Sequence, residues 1–205
     1  MSRQQRNNPK YNRPRRHSNL PLRESLLIFC EGDTEVGYFT CFRKKAKYMP
    51  GGNALKIVEN AIAFKAANKA YDQYWAVFDK DDTTDQHFEQ AIQLAMANGI
   101  RVAWSNQAFE CRIILHYRDF RHECHRNDYE TLIKQFIPAY DASQKGLEQG
   151  KQLYRVTKTF LSAAIERAKN GHASFHPDMP AAQKQTCTLI YELVESIVLS
   201  GGHAT

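Results

Sequence analysis

Apolar and polar positions alternate between short solid runs and helical spacing along this chain. Leu26, Leu27, Ile28 and Phe29 form a continuous apolar run, the length of a buried strand, predicted over about 25–30. Cys30, Glu31 and Gly32 end it, and Asp33 or Thr34 is placed to cap a helix over about 33–47, with Val36, Phe39 and Phe42 on its apolar side. Pro50, Gly51 and Gly52 then break the chain. Leu55, Ile57, Val58, Ile62 and Ala66 follow a mostly helical period to about Lys69, and a short strand at Leu55–Val58 stays open. Residues 74–78 read as a second strand, 85–98 as a helix closed by Gly99, and 100–104 as a third strand. Strand, helix and strand at this spacing imply parallel order with right-handed crossovers.

Beyond the third strand the pattern is helical. Ser105 or Asn106 is placed to cap a helix with Phe109, Ile113, Ile114 and Tyr117, and a polar His- and Arg-rich stretch covers 118–126. Asn127 or Asp128 opens a helix running to Pro138. One long helix is expected over about 147–169, then a loop, then a last helix over about 184–199. The fold class is α/β: a parallel sheet flanked by helices, with a helical C-terminal part.

Charge changes the picture at one end. Residues 1–23 carry seven Lys or Arg and no acid, and the remainder is close to neutral. Such a tail suits a polyanion held through its phosphates. Arg13, Arg15 and Arg16 in the tail, Lys44 and Lys45 near the C-terminal end of the first helix, and Arg121 and Arg126 in the polar stretch are the candidate nucleic-acid contacts. Five cysteines at irregular spacing, without a signal peptide, fit a reduced cytoplasmic setting better than a disulfide framework. No stretch approaches the roughly 20 apolar residues of a membrane span.

The candidate chemistry is acidic. Glu31 stands where a strand meets a helix, and Asp79 and Asp81 stand where the second strand ends, two residues apart and so on one side of an extended backbone. Ligands bind at that edge of an α/β sheet. Hard carboxylate oxygens suit Mg²⁺ or Mn²⁺, and such a site suits phosphoryl transfer. Glu35 lies one turn beyond Glu31, and Glu110 could approach the same metal from the helix after the third strand. Cys111, His116, His122, Cys124 and His125 form a weaker zinc set, without a CxxC pair. Lys145 and Lys151 are candidate partners for phosphate charge.

CEGDTE at 30–35, VFDKDD at 77–82 and SNQAFECRIILHY at 105–117, in that order, resemble the RloB-like family. That family is similar in turn to the Toprim catalytic domain of topoisomerases, primases and overcoming-lysogenization-defect nucleases. The resemblance spans Leu26 to Leu193, with Pro180, Thr186 and Thr188 nearest to its C-terminal Pro-plus-Thr segment. It implies a Toprim-like (Rossmann-like) core over 24–118, preceded by the basic tail and followed by a helical extension over 119–200. One Toprim strand would be missing or reduced to Leu55–Val58. The resemblance implies a metal held by Glu31, Asp79 and Asp81, assistance from Glu35, and a Mg²⁺- or Mn²⁺-dependent nuclease of a phage-defence system, acting with an AAA- or ABC-type ATPase. Two alternatives stay open. One is a non-catalytic nucleic-acid-binding or ATPase-associated subunit. The other is a haloacid-dehalogenase-like phosphatase, because Asp79 to Thr83 also fits a DxDxT nucleophile motif. A homo-oligomer is compatible with every reading.

Overall fold

The computed structural model describes residues 25–42, 52–122 and 124–199, and the backbone alone of 45–48. Four strands, β1 (Leu26–Cys30), β2 (Lys45–Tyr48), β3 (Gln73–Asp79) and β4 (Arg101–Ser105), form one parallel sheet in the order β2-β1-β3-β4. Helix α1 (Asp33–Thr40) links β1 to β2, α2 (Ala54–Ala67) links β2 to β3, and α3 (Asp85–Ala97) links β3 to β4. The chain steps outward from β1 to β2, then reverses to β3 and β4. A constant hand of crossover therefore puts α1 on one face and α2 and α3 on the other.

The period-two alternation of the strands feeds two cores. Leu26, Ile28, Cys30, Trp75 and Val77 face α1 and the C-terminal helices. Leu27, Phe29, Tyr74, Ala76 and Phe78 face α2 and α3. Helices α4 (Glu110–Leu115), α5 (Tyr129–Lys134), α6 (Leu147–Thr157), α7 (Leu161–Ala173) and α8 (Ile190–Leu199) complete the first core. The C-terminal part is helical and packs against the sheet.

Four local expectations are corrected. The first helix stops at Thr40, and Lys45–Tyr48 is an edge strand beside β1. Its lysines read as the cationic end of a helix, but lysine is also the residue that protects a sheet edge. The short strand considered at Leu55–Val58 is helix, begun by Asn53, whose side chain accepts from the Lys56 N–H at 2.9 Å. The long helix over 147–169 breaks at a 3₁₀ turn over 158–160, next to a buried Thr157 whose hydroxyl donates back to the Leu153 carbonyl. The last helix begins at Ile190 rather than near 184. Thr186 has a positive φ of 51°, and Thr188 bridges to Ser105 and accepts from the Ile190 N–H.

Helices α1 and α6 cross with their backbones in contact. A Cβ on Gly37 would lie 2.1 Å from the Leu147 carbonyl oxygen, and one on Gly150 would lie 1.9 Å from that of Thr34. Glycine at both positions is what allows the approach. Gly171 in α7 has open space beside it. We expect Gly150→Ala to destabilise the protein by ~3 kcal/mol or more, since backbone must move. Gly171→Ala should be neutral or stabilising by up to ~1 kcal/mol. Urea denaturation of both variants checks the contrast.

Candidate acidic site at the carboxyl edge of the sheet

The sheet order reverses between β1 and β3, so the crevice between their carboxyl ends is the topological switch point. Glu31 leaves β1 there. Its N–H still donates to the Val77 carbonyl, and its Oε2 accepts from the Asp79 N–H at 3.2 Å. Gly32 caps α1 with extended backbone and no side-chain bond; neither Asp33 nor Thr34 caps this helix. A Cβ on Gly32 would meet the Glu35 carboxylate at 2.5 Å, so the glycine leaves room for that side chain to fold back.

Asp79 ends β3, and its Oδ2 accepts from the Phe109 N–H at 3.0 Å. Neither Ser105 nor Asn106 caps α4. The two residues brace the site from behind instead: Ser105 accepts from the Lys80 N–H, and the buried Asn106 amide donates to the Ala182 carbonyl at 2.8 Å. Asp81 has φ of +43°, a left-handed conformation that aspartate tolerates, and its N–H donates to the Gln107 carbonyl. This turn, rather than continued extended strand, brings Asp79 and Asp81 to one cavity.

That cavity has a volume of about 400 Å³ and is lined by Glu31, Glu35, Asp79, Asp81 and Glu110 together. All five acids proposed from the sequence thus share one space. Asp33 and Glu130 add two more at its wall, and Arg126 and Lys145 are the cations there. Glu110 accepts from the Tyr140 hydroxyl at 2.9 Å. Arg126 pairs with Asp81 at 2.6 Å and reaches Asp82 at 3.9 Å.

Burial is the main cause that raises each of four carboxyls. Asp79 lies well above the usual aspartate range, through burial and then the charges of Glu35 and Glu31. Glu35 is raised to about 7 by burial, with Glu110 and Glu31 adding to it. Glu31 and Asp81 are also raised by burial, and Arg126 partly offsets this for both. The donor set is entirely hard oxygen and carries excess negative charge, which fits a divalent cation of the Mg²⁺ or Mn²⁺ kind. As the side chains stand, no group of three His, Cys, Asp or Glu among the described residues is placed to hold a metal ion.

The zinc set does not assemble. His116 is buried between the Tyr38 hydroxyl and the Arg112 carbonyl, and burial pushes its pKa down to about 3. Cys111 is buried and donates its thiol to the Thr186 carbonyl. Of the candidate nucleic-acid contacts, Arg126 lines the acidic cavity and Arg121 is exposed. Arg13, Arg15, Arg16, Lys44 and the Lys45 side chain lie outside the described residues. Lys151 pairs with Glu148 on the surface, whereas Lys145 reaches the site. Sequence reasoning missed Tyr140 and Glu130, whose positions depend on how α5 and the loop after it fold over the sheet edge.

The family model for RloB-like proteins matches residues 26–197, nearly all of the described chain. The chain belongs to the RloB-like family. No curated protein and no solved structure matches it. The matched span of this RloB-like chain contains every acid of the cavity. Among its described residues, no helix is long and apolar enough to cross a membrane.

The raised carboxyls make stability depend on pH. A folded-state pKa above the unfolded value means that the native form holds its proton more tightly. The stability this confers is full below the ordinary value of 4.5 and is lost as pH rises through about 7. Glu35→Gln should therefore stabilise the metal-free protein at pH 8 by ~1–3 kcal/mol and leave it nearly unchanged at pH 5. Urea titrations at the two pH values measure the difference.

Proposed function

We propose that this RloB-like protein has a Toprim-like catalytic core and is a Mg²⁺- or Mn²⁺-dependent nuclease of a phage-defence system, working with an ATPase partner. The supporting observation is the convergence of five carboxylates at the switch point, with too little positive charge beside them. Glu31, Asp79 and Asp81 would hold the metal. When bound, the metal would activate water and neutralise charge on the phosphate oxygens.

The residues of the chain divide the remaining work. Glu35, which lines the cavity beside Glu31 and Asp79, would take a proton from the attacking water and pass it on to the leaving oxygen. Glu110 is held by Tyr140 at the cavity wall and adds to the negative field that favours a cation. The basic tail over 1–23 would draw the polyanion toward a core that is otherwise near neutral. Localisation in the cytoplasm accords with free cysteines and with the substrate.

One observation favours a second reading. The acids share the cavity, but among the described residues no three are placed to hold a metal ion as they stand, and Asp81 is already paired with Arg126. A non-catalytic nucleic-acid-binding or ATPase-associated subunit would have such a site.

The two readings separate in one experiment. Purified wild type should cleave nucleic acid only with Mg²⁺ or Mn²⁺, and Asp79→Asn or Glu31→Gln should lower the rate by roughly 10³-fold. Mn²⁺ at 100 times its Kd should also stabilise wild type by about 2.7 kcal/mol and both variants far less. Salt-sensitive binding with no metal-dependent turnover would establish the second reading instead.

A further inference from the structure

A second cavity of about 470 Å³ adjoins the acidic one and shares Asp33, Tyr140 and Lys145 with it. It lies between the N-terminal ends of α1 and α6 and the loop after α5. Its lining is mixed. Ile137, Leu147 and Leu153 supply apolar surface, Gln152 supplies a neutral amide, Gln144 donates to Asp141 at 2.9 Å and keeps its carbonyl oxygen as an acceptor, and Asp33, Asp141 and Glu148 are the acids there. Leu147 is 45% exposed, a large apolar side chain left uncovered at the start of α6. The backbone beneath it is fixed, because the Leu147 carbonyl sits where Gly37 would carry a Cβ.

We infer that this second cavity is a nucleoside subsite, which takes the unpaired nucleotide next to the phosphate held at the acids. The inference rests on the nuclease reading for the position of that phosphate. The volume falls in the range of small-ligand sites, roughly 300–1,000 Å³. A nucleobase has two apolar faces and a hydrogen-bonding edge, and glutamine amides match such edges. Lys145 lies at the junction of the two cavities and makes no ion pair within 4 Å among the described residues. A phosphate joining the two sites would pass beside its ammonium group. A base seated there has left its stack, at a cost of a few kcal/mol in a duplex and much less in a single strand. The substrate class is therefore single-stranded or locally unpaired nucleic acid.

The test uses the full chain and a fluorescein-labelled single-stranded tetranucleotide, in DNA and RNA forms, with Ca²⁺ replacing Mg²⁺. Anisotropy is read at 0.3 M salt, where contacts of the basic tail with phosphates are weakened. We expect wild type to bind the single strand at least ten times more tightly than a hairpin long enough to stay paired, whose stem contains the same sequence. Gln144→Leu combined with Gln152→Leu should weaken single-strand binding about ten-fold, with the thermal midpoint unchanged. On wild type, a strand with one abasic position should compete about ten times less well than the intact strand. An unaltered affinity in the double variant, equal competition by the abasic strand, or no binding by wild type would overturn the subsite. Cleavage is followed in parallel with Mg²⁺ and Mn²⁺. Loss of base-dependent binding with cleavage intact refutes the subsite alone, and base-dependent binding without cleavage refutes the nuclease reading alone.

Discussion

Like charges crowded out of water govern this molecule. Four carboxyls at the carboxyl edge of the sheet have pKa values raised mainly by burial, and on Asp79 the charges of Glu35, Glu31 and Asp81 add to the burden. A fold does not place ionisable groups this way for stability, since paired or exposed acids would cost less. The arrangement is held by backbone contacts: the Asp79 N–H reaches Glu31, the Phe109 N–H reaches Asp79, and the Gln107 carbonyl receives the Asp81 N–H. Those contacts join the ends of three strands. The site is therefore a property of the sheet as a whole.

The topology explains why the acids meet. Because β1 and β3 are neighbours while the chain leaves them in opposite directions, their following loops diverge and leave a crevice. α1 starts on one side of it, and α4 starts behind it. The C-terminal helices then close the remaining side with Tyr140, Glu130 and Lys145. Two neighbouring spaces result, one acidic and one amphipathic, and Asp33, Tyr140 and Lys145 line both.

Much of this was legible in the residues themselves. β1 and β3 are solid apolar runs, the helix after β3 is expected over 85–98, and Glu31, Asp79 and Asp81 follow from where the two strands stop. β2 was not legible, because Lys45, Ala46 and Lys47 have no apolar alternation and an edge strand needs little. The break between α6 and α7 was hidden because Thr157 fits a helical pattern as well as it fits a bend. Arg126 was visible as a cation, but its attachment to Asp81 depends on a turn with positive φ that no period encodes.

The contact between α1 and α6 has an implication for descent. Neither Gly37 nor Gly150 has room for any side chain, so these two positions are closed to gradual drift while the helices stay this near. A relative that has replaced them must hold the helices further apart. In such a protein α6, and the amphipathic space it walls, would have been rebuilt rather than inherited unchanged.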